Sequence, residues 1–397
     1  MARYRQLPGS IWALGFGSLF MDASSELIHS LLPVFLVSVL GASTMVVGTL
    51  EGIASATVAI TKVFSGAISD HFRKRKLLVV LGYGLSALTK PLFPLAAAVE
   101  WIFAARILDR VGKGIRGAPR DALVADIVPS EMRGAAYGLR QALDSVGAFI
   151  GPLLALAFMA WFANDIRMVF WIAVLPALIS VAVLALAVSE PEQEHAPADG
   201  KKRLSWADAK QLPTRYWLVI GLGCVVTLAR FSEAFLILRA QSLGISAGLV
   251  PAIMIVMNVA YAALAYPAGS AADRLHPRHL LLVGLGILIA AHVIFAAASA
   301  FVGAFVGAAL WGAHLAFTEG LLAKLVADAA PARLRGTAFG LFNLANGGAL
   351  LVAGVVAGWA WSAFGPPATF ITGAVFALLA VIGLLVSAPP SKHLTSR

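Results

Sequence analysis

The chain carries the same short segment twice, about 200 residues apart, between long apolar stretches. The first copy occupies residues 66–75 and reads GAISDHFRKR, and the second occupies residues 269–278 and reads GSAADRLHPR. Another pair of matching segments begins at residues 125 and 327, each with an Ala-Asp-x-x-Pro start and a later Arg-Gly pair. A chain of 397 residues with this period is two copies of one unit. In a membrane, two such halves place a site at their interface.

The apolar content of the chain points to a lipid environment. Hydrophobic residues make up 60% of the sequence and charged residues 13%, whereas a soluble domain carries about a quarter charged residues. A window of about 19 residues finds about twelve apolar spans. Their approximate limits are 11–40, 45–69, 77–98, 101–125, 133–162, 167–188, 215–242, 247–271, 279–299, 302–328, 335–362 and 366–388. We predict an all-α integral membrane protein with about twelve transmembrane helices in two pseudo-symmetric six-helix bundles.

Polar segments divide the chain and orient it. We expect an N-terminal bundle at 1–189, a cytoplasmic linker at 190–213 and a C-terminal bundle at 214–397. The net charge of +10 sits in short loops and helix ends, which follows the positive-inside rule and does not require a nucleic-acid partner. The loop charges predict both termini on the cytoplasmic side of a bacterial cytoplasmic membrane. Arg167 is the exception, since it falls on the opposite side.

Titratable side chains inside the spans are candidate proton or cation sites, because ionisable groups in lipid are costly and face a cavity or a partner. Asp22, Glu26 and His29 share one face of span 1. In the second half, Ser232-Glu233 aligns with Ser25-Glu26 and would bring Glu233 to the same cavity. The alternative is that these groups form static ion pairs, with Arg230 pairing with Glu233.

Span 4 carries a cationic stripe that cannot face lipid. Arg106 and Arg110 are the deeper members, and we predict that they contact an anionic or zwitterionic substrate. The outer members, Lys113 to Arg120, are expected near the cytoplasmic mouth, pairing with acidic residues. Those acidic residues are Asp121, Asp126 and Glu131. The other predicted cavity residues are Glu51, Lys62, Arg230, Glu319 and Asn343.

The twin segments at 66–75 and 269–278 resemble the signature loop of the major facilitator superfamily, and the resemblance covers the whole chain. The resemblance implies that the motif residues of both copies act in gating. The alternative is that their charges only set the membrane topology. The residues concerned are Gly66, Asp70, Arg73, Arg75, Gly269, Asp273 and Arg278. In span 5, Gly147, Gly151 and Pro152 are similar to the glycine-proline motif of the family's antiporters. That similarity implies helix packing and favours efflux.

Signals for catalysis are absent from the sequence. It contains no His-Glu-x-x-His and no phosphate-binding loop, and its single cysteine, Cys224, excludes a thiolate metal cluster. We therefore expect no enzyme activity, no metal and no cofactor. The prediction is a secondary transporter of a small solute by alternating access, coupled to protons and working in efflux. The alternatives are a proton-coupled symporter importing an anionic or zwitterionic nutrient, and a membrane sensor that binds ligand without transporting it.

Overall fold

The computed structural model describes residues 6–72, 74–190, 209–318, 320–331 and 334–386. Within these ranges all regular structure is helical, with fourteen helices of nine residues or more and no strand. In the first half they are α1 (Gly9–His29), α2 (Thr44–Phe72), α3 (Arg75–Thr89), α4 (Val99–Ile127), α5 (Arg133–Trp161) and α6 (Ile166–Ala187). In the second half they are α7 (Thr214–Ala229), α8 (Ala234–Ser242), α9 (Pro251–Arg274), α10 (Pro277–Ala297), α11 (Phe301–Thr318), α12 (Leu321–Ala329), α13 (Arg335–Phe364) and α14 (Pro366–Val386).

These helices form twelve membrane-crossing segments. In the described part of the chain, eleven segments are long and apolar enough to cross a bilayer, with α7–α8 and α11–α12 each counted as one. The twelfth is α4, whose 29 residues exceed the length that a bilayer needs. Its charged residues are too dense for an apolar span, so it must be shielded from lipid by its neighbours. The predicted all-α membrane fold is confirmed.

Four of the predicted spans are not continuous helices, and those expected at 11–40 and 77–98 are interrupted at residues 30–31 and 90–91. The span expected at 215–242 is interrupted between Ala229 and Ala234, and the span expected at 302–328 is interrupted after Thr318. Gly320 follows that second break with φ of +83°, a left-handed conformation that glycine adopts without steric cost. The corresponding stretches of α1 and α4 in the first half are regular helix. The two halves therefore share a helix order but differ in the middle of the membrane.

The halves touch along α2 and α13, where glycines allow backbone contact. A Cβ atom added to Gly48 would collide with the carbonyl of Gly354, and one added to Gly52 would meet the backbone of Leu351. Nearby, the hydroxyls of Thr44 and Ser362 are 3.0 Å apart. These contacts lie at the end of the molecule opposite to the chain termini, because α2 begins there and α13 ends there. Small residues are the usual means of close helix approach in lipid.

Arg167, the exception to the loop-charge rule, has a local structural role. Its guanidinium donates hydrogen bonds of 2.7 Å to the carbonyls of Pro94 and Ala96, and it lies 5.0 Å from the ring of Phe35. The accepting carbonyls belong to the last turn of the short helix Leu92–Leu95, where a positive charge is favoured. The side chain therefore caps a helix, which accounts for its position outside the predicted charge pattern.

The glycine contact predicts that a larger side chain on this face of α13 separates the halves at this end. With Cys224 replaced by Ser, a T44C/S362C pair should form a disulfide readily because the two parent hydroxyls touch. Adding Gly354→Val should lower the cross-linking yield several-fold, since overpacking of such a site costs about 1–3 kcal/mol. Gly348→Val on the same helix is the control, because nothing lies within 4 Å of its added Cβ. Equal yields in the two valine variants would contradict this account.

Candidate functional site

A central chamber lies between the halves, and an inner chamber adjoins it within the first half. The central chamber, of about 600 Å³, is bounded by α1, α2 and α4 on one side and by α7, α11, α12 and α13 on the other. The inner chamber, of about 360 Å³, lies among α1, α2, α4 and α5, nearer to the end that holds the chain termini. Both are lined by Glu26, Val58 and Lys113. They form one polar cavity extending away from the end where α2 and α13 touch.

A chain of charged side chains crosses the first-half wall of the central chamber. The imidazole of His29 lies 3.2 Å from the carboxylate of Glu26 through Nδ1 and 3.7 Å from that of Glu51 through Nε2. Glu51 in turn accepts a hydrogen bond of 2.9 Å from Arg106. The helix spacing predicted Glu26 and His29 on one face, and the structure has them in contact. Asp22, one turn earlier, lines the inner chamber.

A second ion pair lies behind this wall and has no access to the cavity. Lys90 donates hydrogen bonds of 3.0 Å to the carboxylate of Asp109 and to the hydroxyl of Ser25. Both charged residues are at most 3% exposed. The Nε atom of Arg110 lies 3.9 Å from the same carboxylate. The spacing along the sequence could not reveal this pair, because its members come from different helices.

The outer cations of α4 are held by groups other than those expected. Arg116 donates a 2.6 Å hydrogen bond to Ser86 and stacks over the ring of Tyr83. Arg120 donates to Ser18 and Tyr83 at 2.9 and 3.0 Å and lies 3.8 Å from Asp144.

Of the three acidic partners predicted for this stripe, one lies near it. Asp121 is 3.7 Å from Arg120, whereas Asp126 is bonded to Arg75, and Glu131 accepts from Ser130. The prediction was wrong for Asp126 and Glu131 because both lie on the last turn of α4 or beyond it, past the reach of the stripe. Arg140 and Asp144 are spaced i, i+4 on α5, a spacing that predicts an ion pair, and the pair is present at 2.6 Å.

Several charges that line the cavity have no ion pair with a described residue. The cations without an ion pair are Lys62, Lys113, Arg116 and Arg230, and the anions without one are Asp22 and Glu233. The static Arg230–Glu233 pair considered from the sequence is therefore not formed. Among the described lining residues, seven are Lys or Arg and five are Asp or Glu. This excess of positive charge favours an anionic occupant.

The second half contributes a more apolar wall to the central chamber. Phe231, Trp311 and Phe342 line it, together with Asn346, whose amide oxygen accepts a hydrogen bond of 3.2 Å from Thr227. Asn343, a predicted cavity residue, is exposed and is not part of the lining. The face of α13 turned to the chamber instead carries residues at a spacing of four. They are Phe342, Asn346, Leu350 and Gly354.

Glu319 was also predicted to face the cavity, and it lies outside the described residues. The aromatic wall was not specifically predicted as a substrate surface. An apolar residue in a membrane span gives no sign of whether it faces lipid or a cavity.

The predicted gating residues are described in part. Arg75 donates to the carboxylate of Asp126 and to the carbonyl of Ala122, which joins the start of α3 to the end of α4. Its backbone amide donates a 2.6 Å hydrogen bond to Glu190. Arg278 donates to the carbonyl of Leu385 at 3.0 Å.

The structure describes few contacts for the remaining predicted gating residues. Gly66 is half-buried and Gly269 has open space around it. Arg73 lies outside the described residues, and the side chains of Asp70 and Asp273 are not described.

The span-5 glycines bring α5 against α1. A Cβ atom on Gly147 would collide with the carbonyl of Leu19, and one on Gly151 would meet the backbone at Ala23 and Leu27. Pro152 is buried within α5. The contact holds the face of α1 that carries Asp22 and Glu26 close to α5.

The buried Lys90–Asp109 pair predicts a large loss of stability when one partner alone is neutralised. Asp109→Asn leaves an ammonium group in an apolar interior, which costs about 3–5 kcal/mol. Thermal unfolding of the purified protein should show a clearly lower melting temperature. The double variant Lys90→Met/Asp109→Leu should recover most of the loss, and Glu100→Gln, at the start of the same helix, should change little. A double variant less stable than Asp109→Asn would refute this interpretation.

Comparison with known proteins identifies the family. The model of the Major Facilitator Superfamily matches residues 14–238 and 222–397. An uncharacterised MFS-type transporter of Methanocaldococcus jannaschii is 32% identical over 392 residues, covering 96% of this chain and 95% of that protein. An uncharacterised protein of Mycobacterium tuberculosis is 29% identical over 88% of this chain and 86% of its own length. Among solved structures, a nucleoside transporter covers 95% of this chain and 99% of its own with a TM-score of 0.79 at 12% identity. The resemblance seen in the twin segments is confirmed, and the chain belongs to the major facilitator superfamily of transporters.

Proposed function

We propose that this protein is a proton-coupled secondary transporter that exports a small anionic solute by alternating access. One observation carries the proposal. The cavity is bounded by both halves, and its described lining combines an excess of cations with carboxylates that have no fixed arginine or lysine partner. A solute site and proton-accepting groups in one cavity are what coupled transport requires.

The contacts between the halves support alternating access. The backbone contact of α2 and α13 closes the end opposite to the termini, and the inner chamber extends toward the other end. With the termini in the cytoplasm of a bacterial cell, as the loop charges predict, this conformation faces the cytoplasm. Arg75, Asp126 and Glu190 hold α3, α4 and the start of the linker together at that end. Such a cluster can be formed in one conformation of the transporter and broken in the other.

Proton coupling is supported by the shared partners in the chain from Glu26 to Arg106. Glu51 interacts with both His29 and Arg106, so its carboxylate balances two positive groups. The charge states of Glu26 and Glu51 would then set how much positive charge remains to hold the solute. Asp22 and Glu233 would supply further protonation sites at the two ends of the cavity. Solute and proton then act on the same charge balance.

The close approach of α5 to α1 supports export, since it depends on the glycines that resemble the family's antiporter motif. Import by symport uses the same cavity and the same inward flow of protons, and it differs in the direction in which the solute moves. A sensor that binds without transporting would also use this cavity. Its distinguishing feature is that the two sides never exchange solute.

Neutralising the cavity carboxylates should abolish coupling while leaving the protein folded. A screen of toxic organic acids, antibiotics and metals in an efflux-deficient host identifies the solute to which expression confers resistance. For that solute, Asp22→Asn and Glu26→Gln should reduce proton-driven transport in proteoliposomes by 5- to 150-fold, the range that a coupling free energy of about 1–3 kcal/mol gives. Glu100→Gln, outside the cavity, should transport normally. Unchanged pH dependence in both cavity variants would defeat the proton assignment.

The direction of transport is tested in inverted vesicles with an acidic lumen. Export by antiport predicts that adding the solute outside raises the luminal pH, because protons leave as the solute enters. Symport predicts that the solute leaves together with protons and is not concentrated inside. A complete lack of counterflow in proteoliposomes would support the sensor instead.

A further inference from the structure

The two helix interruptions of the second half open onto the same chamber. Phe231, Ser232 and Glu233 lie between α7 and α8, and Gly320 precedes α12. Residues of both interruptions line the central chamber. In a regular transmembrane helix, the backbone N–H and C=O groups form hydrogen bonds with each other. An interruption within the membrane leaves some of these groups in need of another partner.

The free groups at both interruptions are backbone N–H donors. The amides of Phe231, Ser232 and Glu233 have no hydrogen-bond partner among the described residues. At the start of α12, the amides of Leu321 and Leu322 have no hydrogen-bond partner among the described residues, and the amide of Lys324 donates to the carbonyl of Gly320. Two helices of nine residues, α8 and α12, therefore begin at the wall of one chamber. The N-terminal end of a helix carries a partial positive charge that favours an anion.

Two side chains add independent evidence for a ligand at this wall. Arg230 lines the chamber and forms no ion pair with a described residue. Trp311 also lines it and is 1% exposed, yet its indole N–H has no hydrogen-bond acceptor. Buried donors in native proteins almost always have a partner. A bound acceptor group at this wall would give some of these donors their missing partner.

The surroundings of these donors define the rest of the ligand. Phe231 and Trp311 have ring centroids 5.7 Å apart, and Phe342 lines the same chamber. Behind them, His292 and Phe370 pack against Phe231, so the wall is a fixed aromatic surface. A flat apolar body packs well on such a surface. Its charged group would then reach the donors at the edge of the wall.

We propose that the carboxylate of an organic acid with a ring binds at Arg230, with further hydrogen bonds drawn from the indole N–H of Trp311 and the free amides at 231–233 and 321–322, while the ring packs on Phe231, Trp311 and Phe342. This inference rests on the proposed function, in which the cavity carries an anionic solute, and it names the class of that solute. Glu233 lies at the same interruption and opposes the carboxylate while it is charged. A neutral side chain at this position removes that opposition, so the charge of Glu233 tunes how tightly the acid binds.

Binding to the purified full-length protein in detergent tests the subsite without any transport. The probes are benzoate, cyclohexanecarboxylate and 2-naphthoate, each compared with its own primary amide, and acetate as a carboxylate without a ring. Thermal shift and titration calorimetry should show that at least one ring carboxylate binds roughly tenfold or more tightly than its amide and than acetate, because charge-assisted hydrogen bonds are worth this much. If no ring carboxylate exceeds its amide, the subsite is wrong.

Variants then locate the binding. Arg230→Gln should weaken the best ring carboxylate by roughly 10- to 100-fold, and Arg215→Gln is the matched control, since it removes the same charge from the exposed start of α7. Trp311→Phe keeps the ring and removes the N–H, and it should weaken binding several-fold. Glu233→Gln should strengthen binding. Equal affinities in Arg230→Gln and Arg215→Gln would overturn the assignment. If Arg230→Gln does not fold, then Trp311→Phe binding as well as wild type, or Glu233→Gln binding more weakly, would overturn it.

The subsite and the proposed function fail separately. Ring carboxylates that bind with this pattern but never exchange across proteoliposomes would support the subsite and reject transport. A different solute driven by protons, with no carboxylate binding at Arg230, would support transport and reject the subsite.

Discussion

The packing of the first half depends on which groups can neutralise the buried charges of α4. A helix with this many cations cannot face lipid, and each cation that is buried needs an acceptor or a carboxylate nearby. Glu51 from α2, Asp109 from α4 itself and Asp144 from α5 supply the carboxylates. Ser86 and Tyr83 from α3 and Ser18 from α1 supply the hydroxyls. The first half is therefore packed around α4.

This arrangement makes the two halves chemically unequal despite the segments that they share. The first half presents fixed charges on continuous helices, and much of its charge is balanced internally. The second half presents interrupted helices, an aromatic wall and Arg230, which lines the chamber without an ion pair to a described residue. A solute between them meets long-range attraction on one side and short-range hydrogen bonding with ring packing on the other. Because the two kinds of contact differ in range, attraction can bring the solute in before the second half orients it.

Glycine sets how closely the halves and helices approach. Gly48 and Gly354 allow backbone contact between α2 and α13, and Gly147 and Gly151 do the same for α5 and α1. In lipid there is little hydrophobic gain from bringing two helices together, so packing at small residues carries much of the association. These contacts frame the cavity, and a transport cycle has to break and remake those that join the two halves.

The sequence by itself determined the features that depend on one helix or on composition. Apolar length predicted the twelve segments, the repeat predicted two halves, and helical spacing predicted both the His29–Glu26 contact and the Arg140–Asp144 pair. Only the tertiary structure decided which charges meet across helices, because Lys90 finds Asp109 and Arg75 finds Asp126 through packing that no spacing encodes. It also decided that Asn346 and not Asn343 faces the cavity, since this depends on the rotation of α13. The helix breaks at Arg230 and Gly320 were also decided only by the tertiary structure. A polar or glycine residue is compatible with a continuous membrane helix, and it becomes a break only where a cavity and neighbouring helices offer the backbone another environment.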